Sequence, residues 1–428
     1  MVKLKINNFG PVKEGYIEND GYLTIPDITL FIGDQGTGKS SIAKVLSTCS
    51  WIEKSLLKDD EIYNLEFKGM KEFNTGEIGI NNYDLKYRLE YQNIQNYFSQ
   101  DTFIEYVGDY YIIKYAKGET SFCSLHSQKD ISYILPQIMY VPAERNFISV
   151  VEGAKSVKNL PSPLYTFLDE YEAAISSLGN KKQKLPLGNF EYQYDKAIKE
   201  GMIIGPEDNY KIKLSEASSG LQSATPLFLV TDYLSKSISG KYDTLSKKRL
   251  SLIDEMSKDH MIDLVRESGK DDWEEKAEIE NIEDRFRNKR FLNIVEEIEQ
   301  NLYPKSQQMI LYDLIRCVNS SPGNKLILTT HSPYVINYLS LAIKAHAIKM
   351  KIKPDTNRKV TSDLHAIVPQ ESTISGDKVA VYELGQAGKI TKLPAWGDDI
   401  PSDENSLNES LRMTNDLFND LLELEEEI

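Results

Sequence analysis

Cysteine is scarce in this 428-residue chain. Cys49, Cys123 and Cys317 are too few and too widely spaced for a disulfide framework or a zinc-type cluster, and they suit a reducing cytoplasm. No apolar run approaches the length of about 20 residues that crosses a bilayer, and Met1 to Ile6 begins as a strand rather than as a signal peptide, so no membrane partner is expected. Positive charge is also short. The net charge of −15 argues against a surface that coats nucleic acid broadly, without excluding a local basic patch. Internal repeats and low-complexity linkers are missing as well. A chain of this length holds one large domain with insertions, or two to three smaller ones.

What is present centres on one stretch. The apolar run Ile28 to Ile32 leads into Gly33-Asp34-Gln35-Gly36-Thr37-Gly38-Lys39-Ser40, and a helix-compatible segment, Ser41 to Thr48, follows. That is the strand–loop–helix setting of a phosphate-binding loop. Its glycines let backbone N–H groups turn inward around phosphate oxygens, and the new helix points its positive end at them. Lys39 would reach the β- and γ-phosphates of a nucleoside triphosphate, and the Ser40 hydroxyl would ligate Mg²⁺. The alternative is a glycine-rich turn closing an ordinary βα unit; the flanking strand and helix favour the nucleotide.

Around this loop the chain alternates short elements. Val2 to Ile6 and Val12 to Ile17 read as strands joined by a turn at Asn8 to Pro11, and Ile28 to Ile32 as a buried central strand. Tyr-rich alternating runs, such as Tyr83 to Tyr91 and Phe103 to Tyr115, predict an antiparallel β insertion over 50–130 whose tyrosines are packing faces. Ile138 to Val141 predicts a second buried strand, 162–178 a helix, and Met202 to Leu214 a hairpin. Residues 241–290 are densely charged and read as a solvated helical insertion. Strands at Phe291 to Val295 and Lys325 to Thr330, a helix over Pro304 to Asn319 and a hairpin about Gly385 to Gly388 complete a domain spanning 1–400. From Asp403, an amphipathic helix with Leu407, Leu411, Leu417, Phe418, Leu421 and Leu424 on one side fills the terminal segment 401–428.

Three later elements narrow the chemistry. Glu296 and Glu297 follow an apolar strand, and adjacent acids at a strand end can point to different ligands: Glu296 to a metal, Glu297 to an attacking water. His331 ends the next such strand, placed to hydrogen-bond a γ-phosphate beside the base. Ser218-Ser219-Gly220-Leu221-Gln222 opens a helix with small residues whose N–H groups suit an anion. Because residues 33–40 already form one cradle, this second one makes sense if it completes the pocket of another copy.

Together these motifs resemble the ATPase head of the ABC class. Gly33 to Ser40 looks like Walker A, Ser219 to Gln222 like the signature motif, Glu296-Glu297 like Walker B with its catalytic glutamate, and His331 like the switch histidine. The phrases Tyr140-Val-Pro-Ala-Glu-Arg145, Ser218-Ser-Gly220, Glu296-Glu-Ile-Glu-Gln-Asn-Leu-Tyr-Pro304 and Leu328-Thr-Thr-His-Ser-Pro333 are similar to those of stand-alone AAA-type ABC ATPases of bacterial genome maintenance and phage defence. Those are relatives of the OLD-family ATPase domain and of the ATPase subunits of PARIS and Septu systems.

The resemblance implies an α/β P-loop fold of the ABC-head type, with a mostly parallel core sheet, an antiparallel β subdomain and helical insertions. It implies ATP and Mg²⁺ as cofactors. The nucleotide would be bound by Gly33, Asp34, Gln35, Gly36, Thr37, Gly38, Lys39, Ser40 and Ser41 and, from another copy, by Ser219, Gly220 and Gln222. Ser40 and Glu296 would hold the metal, while Glu297, His331 and Lys39 would be catalytic. It further implies slow hydrolysis in a cytoplasmic homodimer or larger homo-oligomer that regulates a separate effector protein.

There are departures. Leu221 replaces the second signature glycine, Glu296 stands where many such proteins have aspartate, Ile298 takes the place of a proline, and no Q-loop glutamine follows Val141. They bear on hydrolysis rate more than on binding. A DNA-repair ATPase of the RecF, Rad50 or SMC kind is the competing reading; it requires a basic face that the charge does not favour. No Asp-x-Asp pair follows His331, so no nuclease centre is expected, and Asp398-Asp399 reads as a turn.

Overall fold

The computed structural model describes residues 1–66, 84–125, 134–151, 153–238, 287–352 and 358–426, with scattered helical residues between 262 and 279. The N-terminal third comprises β1 (Val2–Phe9), β2 (Gly15–Tyr16), β3 (Leu23–Ile25), β4 (Ile28–Gly33), α1 (Lys39–Glu66), β5 (Phe98–Val107), β6 (Tyr111–Ala116) and β7 (Glu119–Ser124). Next come β8 (Leu135–Val141), α2 (Ser162–Leu178), β9 (Gln183–Lys184), β10 (Glu191–Asp195), β11 (Glu200–Ile204), β12 (Lys211–Lys213) and α3 (Ser219–Ile238). The remainder holds β13 (Asn288–Val295), α4 (Pro304–Asn319), β14 (Lys325–Thr329), α5 (Pro333–Lys351), α6 (Arg358–Ile367), β15 (Val379–Leu384), β16 (Lys389–Lys392) and α7 (Ser406–Glu426).

A seven-stranded sheet in the order β2-β16-β15-β4-β14-β13-β8 forms the centre. Every pairing in it is parallel except the β15–β16 hairpin. Parallel strands covered on both faces must be apolar at nearly every position. β4 shows how the two faces divide: Ile28, Leu30 and Ile32 join a core with α2, α3, α4 and α5, whereas Phe31 joins one with α1 and the antiparallel strands. β14 repeats the alternation, with Leu326 and Leu328 on the first face and Ile327 on the second. The α/β fold with a mostly parallel core sheet therefore stands as expected.

On the α1 side lies a five-stranded antiparallel sheet, β3-β1-β5-β6-β7. This corrects the expected insertion over 50–130, because two of the five strands come from the N-terminus. α1 also continues to Glu66, there being no glycine or proline between Ser41 and that residue to stop it. Within Tyr83 to Tyr91, the expected strand is instead a helical turn at Leu85–Arg88, capped by the Asp84 carboxylate, which accepts from Tyr87 N–H at 2.9 Å. Leu85 and Leu89 are both fully buried, a four-residue spacing that belongs to a helix. Of the strand expected over Val12 to Ile17, Val12 bridges back on Phe9 of β1, whereas Gly15 and Tyr16 form β2 and pair with β16.

The hairpin expected at Met202 to Leu214 is present as β11–β12 within a separate antiparallel sheet, β12-β11-β10-β9. Most of the charged segment 241–290 lies outside the described residues, and its last residues belong to β13. The terminal helix begins at Ser406.

One tyrosine ties the two large sheets together. Tyr382 on β15 is buried, and its hydroxyl accepts from Thr24 N–H at 2.8 Å and donates to Thr24 C=O at 3.0 Å on β3. Tyr382→Phe leaves both main-chain groups unpaired, so urea unfolding should show a loss of about 1–3 kcal/mol. An unchanged midpoint would mean that water satisfies Thr24.

Candidate functional site

Four adjacent parallel strands, β4, β14, β13 and β8, end on the same edge of the sheet, where ligands of open α/β sheets bind. β4 runs into the glycine loop, β14 into Thr330 and His331, β13 into Glu296 and Glu297, and β8 into Pro142 to Arg145. Main-chain bonds fix the ends in register: Thr330 N–H donates to Phe31 C=O at 3.1 Å, and Glu296 N–H to Val141 C=O at 3.0 Å.

The loop itself needs its glycines. Gly33 has φ +133°, and a Cβ there would meet the Leu384 carbonyl at 2.4 Å. Gly36, at φ +75°, has open space where a Cβ would stand, and Asp34, Gln35 and Gly36 are exposed. Thr37 braces the loop by donating to Asp34 C=O at 2.8 Å. Ser41 is buried in the first turn of α1 beside half-buried Ser40.

Lys39 is only 4% exposed. Its ammonium donates to Gly33 C=O at 2.8 Å and Asp34 C=O at 2.7 Å and lies 3.3 Å from His331 Nδ1. Burial lowers it to about 8, against the opposing pull of Glu299, Glu297 and Asp34. Burial and then the neighbouring Lys39 hold His331 below its ordinary range, so the imidazole is neutral at pH 7. With Nδ1 accepting from Lys39, the ring proton sits on Nε2, 4.0 Å from Glu297 Oε1.

The acidic pair is held by a residue whose part the sequence did not disclose. Arg145 is fully buried, and its guanidinium donates to Glu296 C=O at 2.7 Å and Glu297 C=O at 2.8 Å. Glu297 adopts a left-handed φ of +43°, kept in place by those bonds and by its N–H donating to Thr329 Oγ1 at 3.0 Å. Glu299 was likewise missed. It accepts from the Thr330 hydroxyl at 2.7 Å and from His331 N–H at 2.5 Å, fixing the histidine. The only signal was the phrase in which each stood, because both roles depend on neighbours distant in the chain.

Glu296 fits a hard cation. One of its buried oxygens accepts from Ala143 N–H at 3.3 Å, and the other, Oε1, meets the hydrogen-bond criteria with no group among the described residues. A carboxylate and a serine hydroxyl, completed by phosphate oxygens and water, form the donor set Mg²⁺ prefers. Among the described residues no group of three or more His, Cys, Asp or Glu is placed to hold a metal. Asp398 is engaged by Lys344 at 2.7 Å and Lys351 at 3.2 Å, and Asp399 lies at φ +58° in a turn.

The Ser218 to Gln222 segment stands apart from the glycine loop. Ser219 is exposed at the start of α3, whereas Gln222 Nε2 donates to Ser215 C=O at 2.8 Å and the Gln222 main-chain carbonyl accepts from Ser149 Oγ at 2.7 Å. A Cβ on Gly220 would meet Asn301 C=O at 2.9 Å. No hydrogen bond among the described residues joins this segment to residues 33–41.

The sequence matches no family model and no curated protein. Among solved structures, an SMC head domain from Thermotoga maritima is similar at 11% identity, over 92% of this chain and 98% of that one, with a TM-score of 0.35. An Smc head domain with an extended coiled coil, bound to the C-terminal domain of ScpA and derived from Pyrococcus furiosus, is similar at 10% identity, over 97% and 100%, with a TM-score of 0.34. At such values these are partial likenesses, and the site stands on its own residues.

The buried ammonium makes stability pH-dependent. Between about pH 8 and 10.5 the unfolded chain keeps the Lys39 proton that the folded chain has lost. Wild type should therefore gain stability relative to Lys39→Met as pH rises through that window, by up to about 3 kcal/mol. Urea midpoints of the two nucleotide-free proteins measure this; a pH-independent difference would show that the ammonium is solvated.

Proposed function

We propose that the chain is an ATP-binding, slowly hydrolysing ATPase of the ABC class, in which nucleotide draws two copies together head to tail. The observation that carries this reading is the buried Lys39 ammonium, held by two loop carbonyls and His331 inside a glycine loop at a helix N-terminus. Phosphate oxygens would take over that ammonium, while the loop N–H groups and the start of α1 receive the remaining charge. Mg²⁺ on Ser40 and Glu296 would neutralise charge on the β- and γ-phosphates. Glu297 then orients the attacking water and accepts its proton, and His331, released from Lys39, donates from the imidazole to the γ-phosphate.

Exposed Ser219 and the N–H groups that open α3 support completion of the site by a second copy. The motif resemblance to phage-defence ATPases supports a regulatory role beside a separate effector. No helix among the described residues is long and apolar enough to cross a membrane.

Lys39→Ala should abolish ATP binding, read by equilibrium dialysis; unchanged affinity sinks the nucleotide reading. Glu297→Gln should bind ATP normally while turnover falls by about 10²–10⁴-fold. If Glu296→Gln alone blocks turnover, the two roles are exchanged. Mixing Lys39→Ala with Ser219→Arg subunits should restore part of the activity, since one composite site stays intact. No recovery in verified heterodimers would mean each site is self-contained.

A further inference from the structure

α7 stands out from the body of the molecule. Its root is tied down: Ser406 N–H donates to Glu383 Oε1 at 2.7 Å, and Asn408 exchanges amide bonds with Asn337 at 3.2 and 3.3 Å. Beyond Asn408 nothing in the helix is buried. Leu411, Met413, Leu417, Phe418, Leu421, Leu422 and Leu424 are 44–62% exposed. At about 100° per residue, all seven fall within one half of the helix circumference. Glu409, Asp416, Asp420, Glu423 and Glu426 lie on the opposite half, while Ser410, Thr414 and Glu425 share the apolar one. Scattered exposed leucines need no explanation, but seven large apolar side chains gathered on one half of a helix do.

We propose that α7 is a homotypic dimerisation helix, its apolar half packing against the same half of a second copy without any need for nucleotide. Size supports this occupant. Seven half-exposed side chains offer on the order of 100 Å² each, at most about 700 Å² per copy, which approaches the roughly 800 Å² per partner of a stable interface. Charge placement supports it as well. In a back-to-back pair five of the six carboxylates point outward, separated by more than a Debye length of about 8 Å, and Glu425 meets the seam only in the last turn. An anionic lipid surface suits the helix poorly, because six carboxylates face a single arginine, Arg412.

The position of the root gives the pairing a consequence. Glu383 lies on β15 beside the glycine-loop strand β4, and Asn337 lies on α5, the helix that follows His331. A pair joined through α7 would hold two sites at high effective concentration. That last clause rests on the nucleotide reading; the dimer itself does not.

Light scattering on the full chain, free of nucleotide, tests the proposal. The wild type should be dimeric at low micromolar concentration, and the dimer should tighten as NaCl screens the carboxylates. Leu417→Glu with Leu421→Glu should weaken it by about 100-fold or more. Both positions are exposed, so circular dichroism should show the body of the double variant folded. A wild type that stays monomeric overturns the proposal, as does a double variant that remains dimeric. Dissociation as salt rises also overturns it, since that would identify a basic segment as the occupant. Lys39→Ala should keep the dimer, so loss of nucleotide binding and loss of this interface are read separately.

Discussion

The parallel register of β4, β14, β13 and β8 is the constraint on which the site depends. In such a sheet every C-terminal end faces one edge, so residues hundreds of positions apart arrive side by side without any loop having to reach for them. Phe31 C=O accepting from Thr330 N–H, and Val141 C=O from Glu296 N–H, are the bonds that set this alignment. A slip by one residue in any of the four strands would exchange its core and opposite faces and swing its catalytic candidate away. The apolar run in each strand thus serves function as well as burial.

Charge at that edge is arranged so that each ionised group restrains another. Arg145 is buried with its Nε unpartnered among the described residues, yet its two other nitrogens hold the carbonyls on which the left-handed turn at Glu297 depends. Burial lowers it to about 10 even though four glutamates, at 299, 297, 296 and 144, favour its charged form. Replacing such a cation leaves uncompensated carboxylates and carbonyls rather than a neutral gap. The Lys39–His331 contact works in the same way: burial and then the ammonium keep the imidazole neutral, and the imidazole supplies one of the ammonium's three acceptors.

Much of this was legible because it was local. The runs that became β4, β13 and β14 are too apolar for anything but a covered strand, and α2 and α4 lie where their sequence periodicity put them. The glycine loop was readable for a different reason, since only glycine tolerates the backbone at Gly33 and Gly38. Errors arose where the deciding partner was distant. Tyr83 to Tyr91 alternates like a strand, but Leu85 and Leu89 both find cover on one helical face. β2 owes its pairing to β16, more than 370 residues later. Arg145 and Glu299 could be recognised as parts of phrases, yet their tasks depend on which carbonyl or N–H the fold delivers to them.

The same long-range logic connects the glycine loop to the antiparallel sheet. α1 begins at Lys39, and fourteen residues on, about 21 Å along the helix, stands Glu53. Its carboxylate is buried and accepts from Tyr110 N–H at 2.8 Å, Tyr111 N–H at 3.2 Å and the Tyr106 hydroxyl at 3.0 Å. Burial raises its pKa, while those donors pull in the other direction and give the carboxylate a fixed set of partners. Gly108 is required opposite it, because a Cβ there would sit 2.1 Å from Glu53 Oε1. One unbroken helix thus starts at the glycine loop and is bonded, through Glu53, to the β5–β6 turn.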